Sequence, residues 1–567
     1  MLSVVALLSS IVAVFCVEDD LLIRQLSLGA VHGRILSAPN VTGYAFQGIP
    51  YAEPPIGGLR FMAPQPKNHW DGVLETKAYR KDCMWNTSAS PAHVPYDQLS
   101  EDCLYLNIFS SEKCLKEGNC SVVFFIHGGA WRSEGPSFFK AETLIENFAS
   151  EERNIVFVNF AYRLGFLGLV NLAPEIELLS TVQNLALHDQ LTALKFIKKE
   201  ISSFGGDPNK ITLMGHSSGG DNAYALYLSP QTSDLISQVI VMAGPDVEQE
   251  LVKDQNTKAS RKIAELAGCA TEKTDYSRAD SVEDVLKCLR ALPVEELLDL
   301  QRVVEATGLE FTKEALDQGG PDPIFPYPMA DLIKKKRPLP ILTGTTKKEL
   351  NGVTFGAVAD GSIHVDKLLA FCRSTVGLAK AVNIEEGAKQ CMDRYSDPVS
   401  AEEIFNDFFF FTSAYNVAKS SFETGAPTYL YQFEYSDIGR AHYVKPNYSI
   451  PKHRRPFHGQ ELAYLLGIYR GAFTPKDVQI QKQWSQLFVN FINTGNPGFG
   501  FEPFYPGRGN YLAINFDSDG EMAAKVTEGF HFEAVNFWNG LKGKSSRVDS
   551  LPDILDRSVC TSSSCRR

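Results

Sequence analysis

Long apolar stretches and amphipathic ones take turns along the middle of the chain. Ser121 to Ile126, SVVFFI, and Ile155 to Tyr162, IVFVNFAY, are almost continuously apolar, which predicts strands covered on both sides by other elements. Downstream, Leu187, Leu191, Leu194, Ile197 and Ile201 recur at spacings of four and three and mark one face of a helix. Ile211 to Met214 predicts another strand, broken at Gly215, and a helix follows to about Leu228. Strand, helix, strand, sharp turn and helix in that order build a parallel α/β layer. Leu339 to Leu342 and Thr428 to Tyr435 add strands, and helices are predicted around Glu402 to Ala418 and Lys476 to Phe491. Upstream, Leu28 to Phe61 reads as short strands ending in GIPYAEPPIGGLRF, whose prolines and glycines forbid regular structure. After Pro245 the chain turns polar and helical, an insertion closed by Cys269 and Cys288.

Breaks in this pattern carry chemistry. The strand from Ile211 stops at Gly215-His216-Ser217-Ser218-Gly219, a Gly-x-Ser-x-Gly between strand and helix. A serine hydroxyl is a weak nucleophile unless a tight turn lifts it clear of the backbone, beside a base and at the positive end of a helix. Glycines without a Cβ permit such a turn, so Ser217 is the candidate nucleophile. The apolar run ending at Ile126 passes into His127-Gly128-Gly129-Ala130-Trp131. A Gly-Gly loop after a central strand can aim successive N–H groups at one point, which is what stabilises a carbonyl oxygen as it gains charge; taken alone, the same residues read equally well as a plain turn. Glu349 in GTTKKE and His458 in RPFHGQEL complete the order serine, acid, histidine of an α/β-hydrolase triad.

The motifs GIPYAEPPIGGLRF, EDCLYLNI, HGGAW, YRLGFLG, FGGDPNKITLMGHSSGG, GTTKKE and FHGQEL extend the pattern from about Leu28 to Gly540. They resemble those of type-B carboxylesterases, the family that includes cholinesterases and juvenile hormone esterases. The resemblance implies an α/β-hydrolase fold, with a large central, mostly parallel sheet flanked by helices and carrying insertions. It implies Ser217 as nucleophile, Glu349 as acid and His458 as general base, with the N–H groups of Gly129, Ala130 and Ser218 as the oxyanion hole. It further implies that Arg60 with Glu101, and Arg163 with Asp189, are ion pairs of the scaffold. Some positions depart from the family pattern. The elbow usually reads GESAG, whereas here His216 replaces a commonly acidic residue and Ser218 an alanine. Leu350 follows Glu349 where glycine is frequent, and Ala243 stands where a serine often supports the histidine. Either His216 alters the electrostatics beside the base or it turns away into packing; the sequence leaves both open.

Composition narrows the setting. At 567 residues and 44% hydrophobic the chain can bury a large core. Candidate catalytic residues spread from about 127 to 458 predict one catalytic domain over 17–545, rather than the several domains that length alone allows. A net charge of -12 argues against nucleic acid and anionic membrane surfaces as partners. The expected partner is a small-molecule ester, with no cofactor and no metal; oligomeric state is not specified. MLSVVALLSSIVAVFC predicts a signal peptide over 1–16, too short in its apolar core to span a bilayer, and hence a secreted or secretory-pathway protein. The tail over 546–567 is expected to be flexible.

Without Cys16, ten cysteines fall in close sequence pairs: Cys83 with Cys103, Cys114 with Cys120, Cys269 with Cys288, Cys372 with Cys391, and Cys560 with Cys565. An even number in a secreted chain predicts a disulfide framework, and short loops favour local closure, although ten cysteines allow many other connectivities. Sequons at Asn40, Asn86 and Asn447 are expected to carry glycans, whereas the one at Asn119 contains Cys120.

These features predict a secreted serine carboxylesterase in which a neutral ester acylates Ser217 and water releases the acid. Activity should fall at acid pH as the histidine base is protonated. Within enzymes the alternatives are a cholinesterase or a lipase. Cholinesterases resemble this chain but carry a tryptophan ten residues before the cysteine of EDCLYL, which binds quaternary ammonium by cation-π contact; here that place is His93. Trp85 is offset by eight residues and is expected to be a half-buried loop residue beside Cys83. Outside enzymes, the alternative is a non-catalytic adhesion or recognition protein, against which the intact triad argues.

Overall fold

The apolar runs become neighbours in one sheet. In the computed structural model the described residues are 20–542, apart from 40, 89–93, 175–182, 245–254, 313–316, 318, 319, 321 and 443–451. The strands that matter for the site are β1 (Arg34–Ala38), β2 (Val41–Pro50), β3 (Tyr105–Ser110), β4 (Cys120–Ile126), β5 (Ile155–Phe160), β6 (Gly206–His216), β7 (Gln238–Met242), β8 (Ile341–Thr346), β9 (Thr428–Phe433), β10 (Tyr511–Phe516) and β11 (Met522–Thr527). They form an 11-stranded sheet in the order β11-β10-β9-β8-β7-β6-β4-β5-β3-β2-β1. All pairings from β5 across to β10 are parallel. Antiparallel pairing is confined to the two flanks.

Continuous apolar runs serve this sheet because both faces are covered. Val122, Phe124 and Ile126 of β4 enter one core cluster, while Val123 and Phe125 enter another on the opposite face. Val239 and Val241 of β7 split from Ile240 and Met242 in the same way. Each such side chain stabilises the fold by roughly 1.5–3 kcal/mol relative to exposure. The predicted amphipathic helix is α1 (Leu185–Glu200), and α2 (Ser218–Leu228) follows β6 directly. The insertion supplies α3 (Gln255–Leu266), α4 (Ala279–Ala291) and α5 (Val294–Glu305), and a later pair is α6 (Val365–Leu378) with α7 (Ile384–Arg394). Where one helix was expected around Glu402 to Ala418, a π-helix over Asn406–Thr412 leads into α8 (Ser413–Phe422). The Thr412 hydroxyl donates to Asp407 O at 2.6 Å inside that widened turn. Finally α9 (Pro475–Thr494) starts from a Thr474 capping box with Asp477.

Disulfides Cys83–Cys103, Cys114–Cys120, Cys269–Cys288 and Cys372–Cys391 are formed. The last of these joins α6 to α7. Cys560 and Cys565 lie outside the described residues, as do the expected signal peptide, the tail, His93, Asn40 and Asn447. Asn86 is described, and its amide nitrogen donates to the Tyr96 hydroxyl at 2.8 Å and to Asp299 Oδ1 at 2.9 Å. The two scaffold ion pairs are bidentate. Arg60 reaches Glu101 at 2.7 and 2.6 Å, and Arg163 reaches Asp189 at 2.8 and 2.7 Å. Trp85 is buried rather than half-buried, because the Cys83–Cys103 loop folds it into the core cluster. No helix among the described residues is long and apolar enough to cross a membrane.

Candidate active site

Ser217 occupies the single residue between β6 and α2, with φ 56° and ψ -131°. A positive φ is strained for a residue with a side chain, and the turn holds it from both ends. Ser217 N donates to Met242 O at the end of β7 at 2.9 Å, and Ser217 O accepts from Gly220 N at 2.8 Å. The flanking glycines are steric requirements. A Cβ at Gly215 would strike Gly219 O, and one at Gly219 would strike Ile126 O at the end of β4. The same crossing brings the Gly-Gly loop to the serine: a Cβ at Gly128 would sit 2.9 Å from His216 O and 3.0 Å from Ser217 Cβ.

Gly129, Ala130 and Trp131 take φ values of 100°, 53° and 60° in succession. This left-handed run turns the chain back so that Gly129 O accepts from Arg132 N and Ser133 N, each at 3.0 Å. Side chains then pin the loop to α2. Trp131 N donates to Ser218 Oγ at 3.1 Å, and Trp131 Nε1 donates to Asn222 Oδ1 at 2.9 Å. Ser218 opens α2, so its N–H is one of those with no acceptor inside the helix. The loop base is fixed by His127, whose Nδ1 donates to Gly128 O at 2.9 Å and whose carbonyl accepts from the Tyr162 hydroxyl at 2.7 Å. Burial pushes His127 down to about 4, so its ring is neutral at physiological pH. Arg132 ties the loop to the insertion, 3.6 Å from Glu305 of α5 and 3.3 Å from Glu310.

Glu349 and His458 arrive from loops beyond β8 and β9. Glu349, at φ 24° and fully buried, accepts from Thr346 N at 2.6 Å and its own N–H donates to Thr346 Oγ1 at 3.1 Å. His458 N donates to Glu349 O at 3.0 Å, which joins the two loops. His458 Nδ1 then lies 2.5 Å from Glu349 Oε2, and Nε2 lies 2.9 Å from Ser217 Oγ. With Nδ1 donating to the carboxylate, Nε2 is left as an acceptor for the serine proton. The His458 side chain is 15% exposed, whereas that of Glu349 is fully buried. Such an arrangement can deprotonate Ser217 while Oγ attacks a carbonyl carbon.

Further residues meet here that sequence reasoning did not assign to the site. The Phe410 ring from the π-helix lies 5.1 Å from the His458 ring. Ala243 joins Phe410 and Phe411 in an apolar cluster, against which Leu350 packs. Glu134, in the loop after the Gly-Gly turn, accepts from the Tyr469 hydroxyl at 3.4 Å. Burial pushes its carboxyl up to about 7 against the pull of His458. Of the two readings left open for His216, the structure supports the first: its ring lies 4.7 Å from that of His458. Glu461 stands 3.7 Å from His216 Nε2. It sits within the FHGQEL motif, three residues after His458, and that proximity was the available signal.

Comparison with known proteins places this geometry in context. Residues 20–538 match the carboxylesterase family. The liver carboxylesterase of Sus scrofa is 28% identical over 541 residues, covering 88% of this chain and 89% of that protein. Liver carboxylesterase 1 of Oryctolagus cuniculus is 28% identical over 561 residues, and carboxylesterase 1E of Mus musculus is 29% identical over 560 residues. In both cases 91% of this chain and 93% of the relative are covered.

Proposed function

The chain belongs to the carboxylesterase family and is a carboxylic-ester hydrolase acting on small-molecule esters, and we propose that it works in the secretory pathway through an acyl-enzyme on Ser217. The observation that carries this reading is the continuous chain Ser217 Oγ, His458 Nε2, His458 Nδ1, Glu349 Oε2, with links of 2.9 and 2.5 Å. Ser217 Oγ attacks the ester carbonyl as His458 Nε2 takes its proton. Glu349 holds the imidazole in the required tautomer and balances the imidazolium. The N–H groups of Gly129, Ala130 and Ser218 receive the oxyanion. His458 returns the proton to the leaving alcohol, the acyl-enzyme forms, and water repeats the cycle to release the acid. The reaction so written uses no metal and no cofactor.

One catalytic domain over 17–545 accounts for the site, since nucleophile, acid and base all follow strands of one sheet. Four formed disulfides fit an oxidising compartment. Choline esters are disfavoured, because Trp85 is buried and offers no open face to a quaternary ammonium. A fluorophosphonate probe and a p-nitrophenyl ester test the whole reading. The parent protein should label and turn over, and Ser217→Ala should do neither. If the parent neither labels nor turns over and Ser217→Ala behaves like it, the enzyme reading fails and a non-catalytic recognition role takes its place; a parent that is active and matched by Ser217→Ala removes Ser217 as the nucleophile.

A further inference from the structure

His216 and Glu461 stand beside the triad, and the mechanism above uses neither. His216 is the last residue of β6, and its ring is tilted 32° to that of His458 at 4.7 Å. Glu461 Oε1 comes within 3.7 Å of His216 Nε2, with the two side chains only 8% and 2% exposed. Neither His216 Nε2 nor Glu461 Oε2 has a hydrogen-bond partner among the described residues. Two buried polar groups left unpaired each carry a desolvation penalty, and the remedy within reach is the other group.

Their surroundings favour that pairing. Burial, with help from His458, holds His216 well below its ordinary range. Burial and the Glu349 charge hold the Glu461 carboxyl well above the usual carboxylate range. The neutral forms, a carboxyl O–H and an imidazole nitrogen, are complementary hydrogen-bonding partners. The titratable groups on neighbouring elements are His458 and Glu349 of the triad, Tyr431 of β9 beneath the two glutamates, and Glu134 with Tyr469 across His458. Among the described residues the charges that act on the pair are those of His458 on His216 and Glu349 on Glu461.

We propose that His216 and Glu461 form a second histidine–carboxyl couple that holds one proton between them and backs the His458 ring with zero net charge. The proton passes from the Glu461 carboxyl oxygen to His216 Nε2 and back, so the couple alternates between neutral and zwitterionic forms without gaining or losing charge. A side-chain shift of less than about 1 Å brings 3.7 Å to hydrogen-bond length. His216 is thereby a positioning residue. It packs against the base and sets the field in which His458 accepts the Ser217 proton. The inference rests on the reading of His458 as that base.

The test is the acid limb of kcat/KM in the full chain. In H216E two carboxyls share one proton, and the resulting negative charge favours the imidazolium of His458. The acid limb should move up by about one pH unit or more. The double variant H216E/E461Q restores a single carboxyl and should return the limb to its parental position. In H216Q the limb should stay within a few tenths of a unit while kcat falls about 3- to 10-fold from lost packing. A limb that does not move in H216E, or does not return in the double variant, overturns the proposal. Should H216E not fold, low-field proton NMR decides instead. The parent and S217A should both show an exchange-protected imidazole resonance that is lost in H216Q, and its absence from the parent overturns the couple. Because S217A keeps that resonance yet loses probe labelling, failure of the couple and failure of the esterase mechanism are read separately.

Discussion

Ser217 and His458 share one hydrogen bond but are held by opposite kinds of support. On the serine side the backbone does the holding. Gly215 and Gly219 leave room that a single methyl group would fill, and Gly128 passes within van der Waals reach of the elbow. On the histidine side hydrogen bonds do the holding: Thr346 N to Glu349 Oε1 fixes the loop after β8, and His458 N to Glu349 O joins it to the loop after β9. Backbone collisions admit one arrangement or none, whereas a hydrogen-bonded loop tolerates substitution at the expense of alignment. Changes on the first side should therefore fail in folding, and changes on the second in chemistry.

The largest expected effect is Gly215→Ala. Its added Cβ would strike the Gly219 carbonyl, and neither β6 nor α2 can withdraw without opening the sheet. Destabilisation of roughly 4 kcal/mol or more is expected, read as a collapsed thermal transition together with lost fluorophosphonate labelling. A variant that melts and labels like the parent would break the contrast. Glu349→Gln comes next. The amide keeps the shape and can still accept from Thr346 N, but it no longer offers a charge to the imidazolium. We expect kcat to fall about 10³- to 10⁴-fold with KM changed only a few-fold and the melting temperature nearly unmoved. Unfolding as severe as that of Gly215→Ala would show that the acid loop is as sterically fixed as the elbow.

This division also explains what the sequence disclosed. Continuous apolar runs announced β4 and β5, and Gly-x-Ser-x-Gly between a strand and a helix announced the elbow, because local sterics and burial decide both. Glu349 and His458 were found from their order along the chain and the family resemblance. Their contact joins residues 109 positions apart and has no local signal. Trp85 was expected half-buried because nothing in its neighbourhood shows that the Cys83–Cys103 loop folds back into the core. The π-helix over Asn406–Thr412 was likewise hidden, since an apolar FFFF run fits an ordinary helix equally well.

That π-helix supplies a pH-dependent test of the histidine side. Asp407, the second residue of that π-helix, is buried and accepts from the Tyr395 hydroxyl at 2.9 Å, and desolvation pushes its carboxyl up to about 7. An unfolded aspartate titrates near 3.9. With the folded value raised, the stabilising contribution is fully present below about 3.9 and is lost as pH rises through about 7. Asp407→Asn stays neutral throughout. It should match the parent near pH 3.5, begin to exceed it as pH rises above about 3.9, and lead by roughly 2–4 kcal/mol at pH 8.5 in denaturant titrations. A parent that gains on the variant as pH rises would reverse the sign and remove Asp407 as a liability of this side.

Ser218→Ala should have the smallest effect, and it probes a place where the serine side leans on a side chain. Trp131 N donates to Ser218 Oγ at 3.1 Å, so the substitution leaves a buried N–H without that acceptor. About 1 kcal/mol of stability should be lost. The proposed oxyanion donors are backbone groups, and the substitution removes none of them. Trp131 also keeps its indole bond to Asn222 at 2.9 Å, so the loop should drift by only a fraction of an ångström. A 3- to 10-fold fall in kcat with KM nearly unchanged is the expected result, since a small misalignment weakens an interaction realised in the transition state. A loss as large as that of Glu349→Gln would mean that the Gly-Gly loop is held by Ser218 rather than by its own backbone, and the two sides of the site would then be built alike.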